Sequence, residues 1–99
     1  MINFVRTACI VPGKLGEAIH FAKEINEHFA RTYDIKLTVQ MPVAGNPHRI
    51  SWLGSYPTLA ALEEVQLKLV ADQKFAAIVA AGANNFIAGS INDDIWRTL

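Results

Sequence analysis

Hydrophobic and polar positions change their period several times along the chain, and each change marks an element. From Ile2 to Val11 β-forming residues alternate, which predicts a first strand closed by Pro12-Gly13. From Lys14 the apolar positions recur at threes and fours. Leu15, Ala18, Ile19, Ala22, Ile25 and Phe29 make one stripe, with Lys14, Glu17, Lys23, Glu24, Glu27 and Arg31 on other faces. That is an amphipathic helix ending between Thr32 and Asp34. Ile35, Leu37, Val39, Met41 and Val43 then alternate with Lys36, Thr38, Gln40 and Pro42, predicting a second strand whose proline belongs at a sheet edge. The turn formers Ala44-Gly45-Asn46-Pro47 join it as a hairpin to a third strand, His48 to Tyr56. Thr58 is placed to cap a second helix with the stripe Leu59, Leu62, Val65, Gln66 and Leu69. Asp72 sits where another cap belongs, and Phe75, Ile78, Val79, Gly82 and Phe86 begin a new stripe, so the second helix is expected to break near Asp72. A last strand is expected at Asp94 to Leu99.

The order βαββαβ predicts an α+β, ferredoxin-like fold: a four-stranded antiparallel sheet with both helices on one face, in a single domain spanning residues 1–99. The other face is left uncovered and is expected to carry Trp52 and Trp96, an apolar surface that a second copy of the chain would bury. Composition agrees with a subunit contact, because 52% of residues are hydrophobic and only 18% charged, which is apolar for so small a chain. Nine basic and nine acidic residues cancel, which argues against nucleic acid as a partner. Cys9 is the only cysteine, so no intrachain disulfide can form and a reducing, cytoplasmic setting is expected. No run approaches the roughly 18 apolar residues of a membrane span, and the first residues lack the pattern of an export leader, so neither anchoring nor export is expected.

Three short stretches carry a resemblance: Pro12-Gly13-Lys14 opening the first helix, the run from Leu62 to Asp72 followed by Lys74-Phe75, and Gly89-Ser90 with Ile95-Trp96-Arg97. With the element order, they make the chain similar to the dimeric α/β-barrel superfamily and, within it, to the NIPSNAP-like branch of small proteins. Related barrels often carry tyrosine where this chain has Phe75, which loses a hydroxyl and keeps the packing role. The resemblance implies a homodimer with a cavity in each barrel. The activities it spans include cofactor-independent monooxygenases, lactone isomerases, haem-dependent enzymes and proteins without a known reaction, so it leaves the chemistry open.

Among residues able to do chemistry, His48 stands out, because it begins the third strand in phase with Trp52 and Tyr56. It is a candidate base, with a hairpin histidine bonded to its turn as the plainer alternative. His20 and His28 lie off the apolar stripe of the first helix and are expected at the surface. Arg6 falls inside the first strand and needs an anion; Asp93 and Asp94 are the nearby candidates, against a ligand oxyanion. Adjacent in a strand, those two aspartates face opposite ways and make a poor metal or acid–base pair. Trp52, Tyr56, Trp96 and Arg97 are candidate substrate-binding residues, the aromatic ones equally suited to a dimer core. Cys9 has no base or cation beside it and is expected to be a small buried hydrophobe. No glycine-rich phosphate loop, paired-cysteine motif or histidine–acid signature is present, so no cofactor or metal is expected. The function these residues suggest is binding of a small apolar or aromatic molecule by a homodimer. The alternative is a cofactor-independent monooxygenase or isomerase acting on an aromatic or polyketide-like substrate, with His48 as base and Arg6 holding an oxyanion.

Overall fold

Strand β1 (Ile2–Cys9) lies at the heart of the sheet, paired antiparallel on one side with β3 (Arg49–Tyr56) and on the other with β4 (Asn92–Arg97). The short β2 (Thr38–Gln40) pairs with the outer edge of β3, giving the order β2-β3-β1-β4. The computed structural model describes residues 1–99. Helix α1 (Leu15–Tyr33) connects β1 to β2, and α2 (Leu59–Val70) with α3 (Gln73–Gly82) connects β3 to β4. This is the split βαβ arrangement of a ferredoxin-like fold, as the element order predicts.

Ladder register decides which side chains meet the helices. Phe4 faces Gly54, Arg6 faces Trp52 and Ala8 faces Ile50, so even-numbered residues of β1 and β3 share one face. Ala8, Ile10, Ile50 and Trp52 pack there against Ala18, Ala22, Ile25 and Phe29 of α1, while Ile2 and Tyr56 meet Leu62 of α2. Trp52 is therefore under the helices, only 8% exposed, and not on the uncovered face as expected. Trp96 pairs with Asn3 on the opposite parity and is 64% exposed. The uncovered face is mainly polar: Asn3, Thr7, Ser51, Ser55 and Asp94 outnumber Val5, Leu53 and Trp96 on it.

Strand ends differ from the sequence pattern, and β1 stops at Cys9, two residues before the expected Val11. The second strand shrinks to three residues, starting at Thr38 rather than Ile35 and ending at Gln40, with Met41 and Val43 exposed, because Pro42 offers no N–H to extend the ladder. The last strand runs from Asn92 to Arg97, two residues earlier than expected, since its register is fixed by pairing with Ile2 to Thr7. The break at Asp72 is as expected: the Asp72 carboxylate accepts from the Phe75 N–H at 2.9 Å, as Thr58 does from the Ala61 N–H at 3.1 Å. A 3₁₀ turn at Ala83–Asn85 follows α3, and Phe86 then bridges to Ile10.

Helix α3 crosses α1 closely enough that Gly82 lies directly against the Phe21 ring, and a Cβ at that position would overlap it. Gly82→Ala is expected to destabilise the fold by about 1–3 kcal/mol, because a rigid ring cannot yield as a flexible chain end would. The midpoint of urea unfolding measures this; an unchanged or raised midpoint would mean that α3 shifts freely over α1.

Candidate functional site

Between the sheet and the helix layer lies a cavity of about 620 Å³, within the range of small-molecule sites. The fold makes it by leaving β4 uncovered. The helices pack over β3 and β1, all six residues of β4 are exposed, and the cavity opens along that side, where Ile87 and Ile91 line it and remain about half exposed. Eighteen of its 23 lining residues are hydrophobic, so the interior favours an apolar body. One aromatic group, Phe21, Trp52 and Phe86, meets edge-to-face or tilted with centroids 5.4–6.2 Å apart. Another wall is built by Phe29 and Phe75, whose centroids are 6.0 Å apart.

Polar groups in the wall are few. Arg6 and Tyr56 are the ionisable ones, accompanied by Gln66 and Asn84. Arg6 donates from Nε and Nη2 to the two carboxylate oxygens of Asp93, at 2.7 and 2.8 Å, and lies 5.7 Å from the centroid of the Phe4 ring. That hydrogen-bonded pair raises the Arg6 pKa, against the opposing effect of burial. Burial acts the other way on Tyr56 and pushes its phenol up, which keeps it protonated and a donor. The Trp52 indole N–H is buried without an acceptor in the protein.

Of the residues singled out from sequence, Arg6, Trp52 and Tyr56 come together in this cavity. His48 does not. It is an exposed residue of the hairpin, where its N–H donates to Asn46 Oδ1 at 2.9 Å and its carbonyl accepts from the Ile10 N–H at 2.8 Å. No histidine or carboxylate lines the cavity. Trp96 is on the far face, and Arg97, paired with Ile2 at the sheet's end, borders a separate shallow depression beside Pro57 and Thr58. Cys9 is half-buried, its N–H bonded to Ser90 Oγ at 3.1 Å. No three His, Cys, Asp or Glu side chains converge as a metal site would need.

His20 is exposed and sits 3.2 Å from Glu24. His28, expected at the surface, is only 4% exposed. It lies on the side of α1 that α3 covers, and its Nε2 is 2.7 Å from Asp72 Oδ2. The same oxygen accepts from the Tyr33 hydroxyl, and Thr32 Oγ1 reaches His28 Nδ1 at 3.3 Å. These contacts, chiefly the Tyr33 hydroxyl and then the Phe75 N–H and His28, hold the Asp72 carboxyl well below the usual carboxylate range. Burial, with help from Asp72, pushes the Tyr33 phenol up to about 12. Phe21 and Phe86, which shape the cavity, carried no sequence signal for a site; only the three-dimensional meeting of α1, β3 and the segment after α3 marks them.

The sheet order and the helix layer, with an apolar cavity open on one side between them, define a ferredoxin-like α+β protein. Solved structures of similar architecture include an uncharacterised NIPSNAP-domain protein from Burkholderia xenovorans, with a TM-score of 0.84 and 15% identity over 100% of this chain and 95% of that one. A NIPSNAP family protein from Agrobacterium tumefaciens matches with a TM-score of 0.84 and 20% identity, over 99% of this chain and 85% of the other. A putative antibiotic biosynthesis monooxygenase from Nitrosomonas europaea matches with a TM-score of 0.75 and 14% identity, over 100% and 99%. The fold is thus that of NIPSNAP-domain proteins and of antibiotic biosynthesis monooxygenase-like proteins, as the sequence resemblance implies. No protein-family model matches the sequence, and no curated protein matches it. No helix is long and apolar enough to cross a membrane.

Proposed function

We propose that this chain binds a small, mainly apolar or aromatic molecule in the cavity between its sheet and its helices, as a homodimer in the cytoplasm. The observation that carries the reading is the cavity itself: about 620 Å³ walled by aromatic rings, with a handful of donors and no base. Within it Trp52 offers an indole N–H free of protein acceptors, Tyr56 a protonated phenol and Arg6 a guanidinium near the open side. Donors without bases suit a ligand bearing carbonyl or hydroxyl oxygens on a flat body. Native mass spectrometry of the purified protein tests this directly. A dimer carrying extra mass of a few hundred daltons at most is the expected result, whereas a bare monomer that takes up no added aromatic compound would count against both parts.

Turnover is the second reading, favoured by the monooxygenase neighbour. With His48 outside the cavity, the ligand's own acidic hydroxyl would have to supply the anion. Oxygen uptake with a naphthol-type substrate tests it, and no uptake above a protein-free control would leave binding alone.

A further inference from the structure

An ion pair at the open side of an apolar cavity needs a reason, because a lone donor would hold a ligand oxygen more simply. Asp93 stands opposite Arg6 in the β1–β4 ladder, so the backbone register itself brings the carboxylate to the guanidinium. Both carboxylate oxygens are engaged, on Nε and Nη2, and the Phe4 ring flanks the guanidinium. The Arg6 and Asp93 side chains are 42% and 38% exposed, so the pair is reachable from solvent. Arg6 lines the cavity while Asp93 stands behind it on β4. No protein acceptor is bonded to Nη1, which keeps two N–H groups to offer.

We propose that Asp93 is a built-in counter-ion that makes the cavity selective for neutral, oxygen-bearing aromatic ligands and rejects carboxylates of the same shape. The proposal rests on the reading of the cavity as a ligand site and names its specificity. A neutral carbonyl or phenol accepts from Nη1 while the Arg6–Asp93 pair stays intact. A carboxylate meets a cation whose charge is already cancelled, feels Asp93 as a like charge a few ångströms away, and gives up its water to aromatic walls that return nothing. Discrimination therefore comes from a repulsive element placed beside the attractive one.

Isothermal titration at neutral pH with two probes of one shape, naphthalene-carboxamide and naphthalene-carboxylate, tests this. The native protein is expected to bind the carboxamide about tenfold or more tightly than the carboxylate. Asp93→Asn, which keeps an oxygen for Arg6 and removes the charge, should leave the carboxamide within about twofold and bring the carboxylate level with it or ahead. Arg6→Gln should act oppositely, weakening the carboxylate further because Asp93 is then uncompensated. Equal binding of the two probes by the native protein, or a ratio unmoved by Asp93→Asn, overturns the counter-ion role while leaving the cavity a ligand site. Failure of both probes to bind native protein and variants overturns both.

Discussion

His28→Leu is expected to cost about 2–3 kcal/mol of stability and to lower Tm by roughly 10 °C, although leucine matches the site in size and apolar character. The loss arises because His28 is buried between α1 and α3 and gives Asp72 one of its three partners. Leucine leaves that carboxylate short of a hydrogen bond in a site largely closed to water. Thermal unfolding by circular dichroism measures it, and a drop of less than about 3 °C would mean that Tyr33 and Phe75 hold Asp72 unaided. The cluster also shapes the pH profile. Asp72 has its folded pKa lowered, so its contribution is complete above the ordinary carboxylate value of 3.8 and is lost as pH falls below it. Tyr33 has its folded pKa raised from 10.0 to about 12, so its contribution is present below pH 10.0 and is lost as pH climbs through that interval. The contribution of the pair should be level between these limits, and Tyr33→Phe should flatten the alkaline fall and soften the acid one.

Val65→Trp should abolish ligand capture while sparing the fold. Val65 lines the cavity from α2 and packs against both parts of the core, so an indole there projects into open space already walled by apolar groups. Affinity for naphthalene-carboxamide is expected to fall at least about a hundredfold, since a ligand of that size and the new ring compete for one volume. The unfolding free energy from urea titration should stay within about 1 kcal/mol of native, because open cavity space is being filled rather than a packed core overfilled. Undiminished binding would place the ligand elsewhere, the shallow depression beside Arg97 being the next place to look.

His28 shows where reading the sequence stopped short. Its neighbours Ile25 and Phe29 mark the stripe of α1 that meets the sheet, and His28 falls at that stripe's edge. A helix covered by a sheet alone would leave that edge wet, but α3 packs against it and widens the buried arc. The cap at Asp72 was legible from local pattern, since capping needs only the residue and the next turn. That its second oxygen serves α1 was not. Arg6 was legible in part: a charge inside a strand demands a partner, and Asp93 was among the residues offered for it.

By itself the sequence determined the elements, their order and most of their ends, because periodicity, turn residues and caps act over a few positions and require nothing distant. It also determined that consecutive strand residues divide between two faces. Which face the helices would cover was decided only in the tertiary structure, when α1 and α2 came down on the even-numbered side chains of β1 and β3. That choice buried Trp52, left Trp96 in solvent on the far side, gave the uncovered face a polar surface and put the cavity under the helices. A period of two fixes alternation but carries no sign; the sign comes from the summed apolar area of elements distant in the chain, which only packing brings together.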